Sequence, residues 1–345
     1  MLGGARGREE GRRGEREEGR KERGEMVKVS FVWSDSGKEV FADAITIEDE
    51  SIKGLRKAIQ EEVRKGGGGK KAKKLTHEER IRVSIPATTK GVKPTPLPAV
   101  SSESLEKLGV KENMKLVLKD LGPQVPYATV FFYEYLGPLL LYPVFFFLPK
   151  LIYGVDVKHC EAQTLACAYW SFHYAKRIYE TYYVHTFSHG TMPRGNLIKN
   201  CSYYWLSAAG ISYFINHPLY TSPPVYRVAL GFAVACVCQY FNYDSHVRLA
   251  KLRAPGSGAG SGYKIPRGGL FEYVTCANYA AEIYGWLAFN VATQSVLGIV
   301  FMCAGAWQMA IWAAAKQKRL KKLFDGKDGR EKYPKNRWLV IPPFI

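Results

Sequence analysis

The sequence lacks cysteine pairs at the spacing of a zinc site and is poor in histidine. Its seven cysteines lie in or beside apolar segments, so we expect free packed thiols rather than a disulfide framework. None of the seven histidines forms an HxxHH box, which membrane desaturases and hydroxylases generally need. His185 and His189 are four residues apart, a spacing that would put both on one face of a helix. We therefore predict no bound metal and expect these histidines to pack or to hydrogen-bond a substrate.

The N-terminus has no apolar run of the kind that forms a secretory signal peptide. Residues 1–25 are mainly Arg, Glu and Gly, with too little apolar surface to offset the entropy of ordering, so we predict a disordered charged tail. Seven Glu nearly cancel eight Lys and Arg there, which argues against an RNA-binding tail. The net charge of +18 comes with basic residues clustered largely beside apolar segments. That pattern indicates membrane topology and anionic ligands rather than a nucleic-acid partner.

Residues 26–121 contain short alternating segments that predict strands around one helix. Strands are predicted at 27–33, 38–47, 81–85 and 114–118. The first two are separated by a turn and form a hairpin. Ser51 is a suitable N-cap for the following helix, whose apolar residues recur at helical spacing. The order resembles a ubiquitin-like β-grasp domain with a structural or docking role.

The rest of the chain is apolar enough to enter a membrane, where a crossing helix needs about 20 mostly apolar residues. Residues 122–129 are predicted as a linker and 130–315 as an all-α transmembrane domain. About six spans are predicted, with a seventh, irregular segment as the alternative. Their approximate bounds are 130–152, 160–181, 198–216, 224–242, 270–291 and 293–315. The fold class is therefore mixed.

Basic residues near span ends indicate which side of the membrane they face. Residues 316–345 are predicted as a basic cytosolic tail, with ten Lys and Arg against three acids. The loop 248–267 adds five more basic residues. Six spans would put both termini and this loop in the cytosol.

Polar residues at span ends are costly to place and are usually functional. They form three clusters, at 176–194, 242–253 and 262–282, which we expect to meet near the cytosolic face. The stretch Gly256–Gly262 fails the GxGxxG spacing and is interpreted as a flexible linker. The basic residues on either side of it suit phosphate groups.

The second and third clusters carry the motifs NYDSHVRLAKLR and YKIPRGGLFEYVTCANYAAE, which resemble the NADPH-binding half of the steroid 5-alpha-reductase superfamily. KRIYETYYVHTFSHGTMP, WQMAIWA and YPKNRWLVIPPFI resemble its trans-2-enoyl-CoA reductase branch. The resemblance covers residues 27–345. It implies NADPH-dependent reduction of trans-2-enoyl-CoA in the endoplasmic reticulum membrane, the last step of very-long-chain fatty-acid elongation. Other elongase subunits and a link to sphingolipids are implied with it.

The resemblance also implies site residues. Those expected to hold NADPH are Asn242, His246, Arg253, Tyr263, Lys264, Asn278 and Glu282. The residues expected to be catalytic are Tyr279, Lys176 and Glu282. We interpret Tyr279 as the proton donor, Lys176 as a group that lowers its pKa or contacts the thioester oxygen, and Glu282 as an orienting residue. His185, His189 and Arg194 are candidates for substrate binding.

Two other functions stay open at this point. The first is reduction of a steroid or polyprenol enone within the same superfamily. The second is a ubiquitin-like membrane adaptor without enzymatic activity, which would bind no NADPH and would leave the polar clusters unexplained.

Overall fold

The computed structural model describes residues 26–87, 89, 92–98, 101, 103–187, 190–253, 264–327 and 329–342. These residues form two compact units. The first contains the described residues up to Pro126 together with 190–194, and the second contains the others. The predicted tail, the Gly/Ser stretch, Tyr263 and His189 lie outside the described residues.

The first unit is built on a five-stranded mixed sheet. Its strands are β1 (Val27–Trp33), β2 (Ile45–Ile47), β3 (Ile81–Ile85), β4 (Thr95–Pro96) and β5 (Met114–Asp120). They stand in the order β2-β1-β5-β3-β4, with β1 and β5 parallel and the other pairs antiparallel. A small N-terminal β-sheet region is confirmed, although only 45–47 of the strand predicted over 38–47 is a regular strand and β4 was not predicted. The ubiquitin-like assignment stays a prediction.

One helix, α1 (Ile52–Arg64), packs on this sheet and begins where the sequence predicts. The Ser51 hydroxyl accepts a hydrogen bond from the Gly54 N–H at 3.0 Å, which satisfies a free donor of the first turn. The apolar face of α1 is buried in the same core as β1 and β5. Two further strands, β6 (Gln124–Pro126) and β7 (Thr191–Pro193), pair in antiparallel fashion.

The rest of the chain is helical. Its helices are α2 (Tyr127–Phe147), α3 (Pro149–Tyr153), α4 (Glu161–Tyr183), α5 (Arg194–Ile215), α6 (Val225–Lys251), α7 (Ala277–Thr293) and α8 (Val296–Leu323). Among the described residues, α2, α6 and α8 are long and apolar enough to cross a membrane. The helical part of this membrane protein therefore has three candidate spans, and six or seven spans stays a prediction. The C-terminal half of α4 is polar, and α7 has only 17 residues.

Two predicted spans differ from the helices at their boundaries. The span predicted over 130–152 is divided at Leu148, because Pro149 cannot donate to the preceding turn and instead starts α3. The span predicted over 270–291 becomes helical only at Ala277. Gly268 and Gly269 adopt φ values of +77° and +56° just before it, in the region that glycine tolerates best.

The last helix extends past 316, the predicted start of the C-terminal tail. Helix α8 continues through this point to Leu323, because Leu320 keeps the helical spacing of buried residues. Leu320 packs in a small cluster with Ile265 and Tyr333. The last turns of α8 therefore contribute to the folded unit.

Helices α6 and α7 approach each other closely. A Cβ at Gly231 of α6 would lie 2.7 Å from the Cβ of Ala292 in α7, closer than real side chains pack. Small residues allow such close contact between membrane helices. The polar residues of these two helices can then bond directly, which matters for the site.

We expect Asp120→Asn to destabilise the first unit by about 2 kcal/mol, the cost typical of a charge-assisted hydrogen bond. Arg80 donates to both Asp120 oxygens, at 3.0 and 2.7 Å, and the two side chains are mostly buried. The measurement is hydrogen exchange of β3 and β5 in the full chain at pH 7. Glu39→Gln is the control, because its bond with Lys115 is exposed.

The effect should depend on pH in one direction. Burial raises the pKa of Asp120, but the bonds from Arg80 and the Gly122 N–H outweigh it and leave the pKa below its ordinary value. The stabilisation is then complete above the unfolded pKa of about 4 and is lost as the pH falls through the lower folded pKa. A difference between wild type and variant that did not shrink as the pH was lowered from 5 would contradict this.

Candidate active site

The centre of the helical unit holds a buried carboxylate surrounded by cationic groups. Glu180 of α4 is fully buried. Its Oε1 accepts from Lys176 Nζ at 3.1 Å and its Oε2 from Arg177 Nη1 at 2.5 Å. His246 Nδ1 of α6 lies 3.1 Å from Oε2. A buried carboxylate requires such partners, because charge removed from water is otherwise very costly.

The sequence of α4 accounts for the local part of this cluster. Lys176 and Arg177 precede Glu180 by four and three residues, the spacings that bring side chains together on a helix. Arg177 also donates to the Tyr135 hydroxyl at 2.9 Å, and its guanidinium lies over that ring. The cluster therefore joins α2, α4 and α6.

Asn242 of α6 extends the cluster to α7. Its Oδ1 accepts from Lys176 Nζ at 2.6 Å. Its Nδ2 donates to the Asn278 carbonyl at 3.1 Å and to Glu282 Oε2 at 3.0 Å. The structure thus brings together, on three helices, five of the predicted site residues: Lys176, Asn242, His246, Asn278 and Glu282.

Glu282 is held by further partners on α4 and α7. Its Oε1 accepts from Trp286 Nε1 at 2.9 Å and lies 3.4 Å from His173 Nε2. Gln239 Nε2 donates to His173 Nδ1 at 2.8 Å, so the ring proton belongs on Nε2, facing Glu282. With its oxygens engaged by the protein, Glu282 is placed to fix helices rather than to exchange protons.

Tyr279 lies apart from this network. It packs against Trp312 of α8, with ring centroids 6.4 Å apart. Within the described part of the chain its hydroxyl makes no hydrogen bond, and Lys176 instead bonds Glu180 and Asn242. The connection between Lys176 and Tyr279 runs through Asn242 and the backbone of Asn278.

Positive charge lies on the Tyr279 side of α7. Arg253 and Lys316 each interact electrostatically with residues there, Arg253 with Tyr279 and Lys316 with Cys276. Arg253 also donates to the Thr186 carbonyl at 2.6 Å. The sequence prediction assigned Lys316 to the basic tail, because no local pattern distinguishes it from the lysines around it.

Asn278 contributes an unpartnered acceptor. Its Oδ1 is buried and has no hydrogen-bond partner among the described residues. A buried polar atom of this kind usually has a partner in a native site. A carboxamide N–H is one group that could supply it.

Three side chains of the buried cluster are close enough to hold a metal by distance alone. One ligand atom each of Glu180, His185 and His246 lies within 4.8 Å of the others. Arg177 already donates to Glu180, however, and lies 3.2 Å from His246 Nδ1, so a cation there would face a fixed positive charge. Burial and, after it, the positive charge of Arg177 lower the pKa of His185 to about 3, which shows that added positive charge is disfavoured at this place.

The structure places the remaining candidates individually. His185 follows the end of α4 at Tyr183, so the helical relation considered for it and His189 does not apply. Its ring contacts that of His246 at 4.8 Å. Arg194 is exposed in the first unit, where its N–H donates to the Pro123 carbonyl at 2.8 Å. Lys264 is half-buried at the start of the segment that leads to α7.

The C-terminal residues hold that segment in place. The Trp338 N–H donates to the Tyr273 carbonyl at 2.9 Å. The buried Arg337 side chain donates to the Pro266 carbonyl at 2.8 Å. The stretch that leads into Tyr279 is therefore fixed by the end of the chain, a contact between distant residues that sequence patterns do not reveal.

Comparison with known proteins identifies relatives over most of the chain. A family model described as 3-oxo-5-alpha-steroid 4-dehydrogenase matches residues 190–345. The very-long-chain enoyl-CoA reductase of Dictyostelium discoideum is 44% identical over 318 residues, covering 92% of this chain and 99% of the relative. The Caenorhabditis elegans protein named "Probable very-long-chain enoyl-CoA reductase art-1" is 39% identical, covering 79% and 90%. A human trans-2,3-enoyl-CoA reductase-like protein is 34% identical, covering 62% and 61%.

We expect Glu180→Gln to destabilise the helical unit by about 3 kcal/mol or more, because two buried cations would lose their counter-charge. The measurement is thermal unfolding of the purified chain in detergent. Glu161→Gln is the matched control, since this residue is exposed at the start of the same helix. Equal unfolding temperatures for the two variants would contradict the role assigned to Glu180.

Proposed function

The chain belongs to the very-long-chain enoyl-CoA reductase family, and from this premise we propose that it reduces the 2,3 double bond of trans-2-enoyl-CoA with NADPH. As a member it is an oxidoreductase that acts on enoyl-CoA with a nicotinamide cofactor. The use of NADPH specifically and the place of the reaction, as the last step of very-long-chain fatty-acid elongation, belong to the proposal.

One observation carries the assignment of the site. Lys176, Asn242 and Asn278 are far apart in sequence but are joined by hydrogen bonds of 2.6 and 3.1 Å. These are residues of three separate motifs on three helices. Burying charged groups costs free energy, so a cluster of this kind supports a functional site in the membrane-embedded part of the protein.

The residues around Asn278 and Arg253 fit a nicotinamide dinucleotide. The unpartnered Asn278 Oδ1 suits a carboxamide N–H donor. Arg253 and Lys316 supply positive charge for phosphate groups, with Arg offering a planar fork and Lys a point charge. When bound, the reduced cofactor supplies the hydride of the reaction.

Reduction adds a hydride to C3 and a proton to C2 of the enoyl thioester. Negative charge develops on the thioester oxygen before C2 is protonated, so the site needs a donor at that oxygen and a source of the proton. The Tyr279 hydroxyl makes no hydrogen bond with any described residue, and an ordinary tyrosine is protonated at pH 7. We assign Tyr279 both tasks.

Lys176 and Glu282 then act as positioning residues. Lys176 donates a hydrogen bond to the side-chain oxygen of Asn242, and the Asn242 N–H₂ then donates to Glu282 and to the Asn278 carbonyl. Together they set the start of α7, where Asn278 and Tyr279 lie. This replaces the direct action of Lys176 on Tyr279 expected from the sequence.

We further propose a location and partners for the chain. It lies in the endoplasmic reticulum membrane with both termini in the cytosol, and it works beside other elongase subunits. Six or seven spans would surround the acyl chain. Residues 26–121 would form the ubiquitin-like domain, 122–129 the linker and the residues after them the reductase domain. His185, His189 and Arg194 stay candidates for contact with the substrate.

Reduction of a steroid enone is the second candidate, favoured by the family model that matches residues 190–345. Both readings predict NADPH oxidation and differ in the substrate that triggers it. The test is NADPH oxidation in membranes containing the chain, with trans-2-enoyl-CoAs of graded length and with a steroid enone. Oxidation only with the steroid would overturn the main proposal.

We expect Tyr279→Phe to lower kcat by 100-fold or more, because one positioned donor typically contributes that much. Binding of NADPH should be unchanged, since the ring is retained. Tyr273→Phe is the control, because Tyr273 is exposed and its hydroxyl makes no hydrogen bond with the described residues. Near-normal turnover of Tyr279→Phe would remove it as the donor.

We expect Lys316→Met to raise the Kd for NADPH about tenfold, which corresponds to about 1.4 kcal/mol. The reason is the loss of one charge from the proposed phosphate-binding region. Equilibrium binding of NADPH to the detergent-solubilised chain measures it. Lys318→Met, an exposed lysine on the same helix, should leave the Kd unchanged, and equal effects would point to general charge instead.

A further inference from the structure

The first unit carries a basic stretch that the reaction does not use. Residues 64–74 contain six basic side chains and no acidic one, and all six are exposed. They are Arg64, Lys65, Lys70, Lys71, Lys73 and Lys74. The stretch follows the end of α1.

This stretch is anchored to the core of the unit. Ala72 and Leu75 are fully buried, and the Leu75 N–H donates to the Ala72 carbonyl at 2.8 Å. Gly68 has a φ of +76°, and a Cβ there would lie 2.5 Å from that of Ala72. The backbone is therefore fixed, and the lysines around Ala72 are held outward.

Most of these charges form no ion pair among the described residues. Lys71 pairs with Asp35 at 2.5 Å and lies over the Trp33 ring. In the part of the chain that the structure describes, the other five make no ion pair or side-chain hydrogen bond. Five cations without an ion pair therefore lie within eleven residues of the chain, which makes this a strongly basic segment.

The first unit is joined directly to a candidate membrane span. Strand β6 ends at Pro126, and the candidate membrane span α2 begins at the next residue. Basic segments beside a span are attracted to anionic lipid, by about fivefold in affinity for each Lys or Arg near the surface. Lysine point charges suit diffuse lipid charge, whereas paired arginine forks suit a single bound phosphate.

We propose that residues 64–74 dock the first unit on anionic lipid headgroups of the membrane in which the chain lies. The proposal relies on the proposed function only for the cytosolic placement of this unit. Docking would restrain the unit at the membrane surface without a contact to the reacting groups.

The test is hydrogen exchange of residues 66–74 in the full chain, reconstituted in nanodiscs of phosphatidylcholine with or without phosphatidylserine. We expect exchange to slow about tenfold or more with the anionic lipid, and high salt to reverse this by screening. The variant Lys70→Glu/Lys73→Glu/Lys74→Glu should lose the difference. The control Lys107→Glu/Lys111→Glu/Lys119→Glu changes the same charge at exposed sites elsewhere in the unit and should keep it.

Equal exchange in the two lipids, or slowing that survives in the first variant, would overturn the proposal. Slowing that appears only when an acidic protein is added would overturn it as well, in favour of a protein partner. Turnover of enoyl-CoA in detergent should be the same for both variants and wild type. A failure of turnover in wild type would count against the proposed function and would leave the exchange result independent.

Discussion

The site depends on one buried carboxylate. Glu180 is removed from water entirely, and it can remain ionised only because Lys176, Arg177 and His246 surround it. Each partner is in turn fixed by this requirement. Lys176 is directed to Asn242, and Arg177 to Tyr135. A charge that must be neutralised therefore sets the positions of α2, α4 and α6 with respect to one another.

The same constraint distinguishes the residues that position the candidate site from those proposed to react. The residues with several protein partners, Glu180, Asn242 and Glu282, lie inside the network. At the start of α7, the Asn278 amide oxygen and the Tyr279 hydroxyl have no hydrogen-bond partner among the described residues. A site needs rigid support for its reacting groups, and here three helices support the proposed reacting groups at the start of α7. The C-terminal residues hold the preceding segment from another direction.

Local patterns in the sequence predict local structure well here. The hairpin and the Ser51 cap follow from alternation and capping chemistry, and both are present. Lys176, Asn242 and Glu282 stand out in the sequence because polar residues are rare in apolar helices, and they do converge. Three features were not predicted: the role of Glu180 as the common partner, the contact of Arg337 with Pro266 and the charge of Lys316 near Cys276. Each joins residues that are distant in the chain or belong to a run of similar ones, so no spacing distinguishes them. Lys176 was expected to lower the pKa of Tyr279 or to contact the thioester oxygen; its ammonium donates to Glu180 and Asn242, and its path to Tyr279 runs through Asn242.

If this chain transfers a hydride to C3 of an enoyl thioester, a label at C4 of the nicotinamide must appear at C3 of the product. The most direct measurement uses the purified chain, trans-2-hexadecenoyl-CoA and NADPH with deuterium at both C4 positions of the nicotinamide, with mass spectrometry of the product. We expect saturated acyl-CoA with one deuterium at C3 and a solvent-derived proton at C2. Saturated product without deuterium at C3, or no saturated product while a steroid enone is reduced, would contradict it.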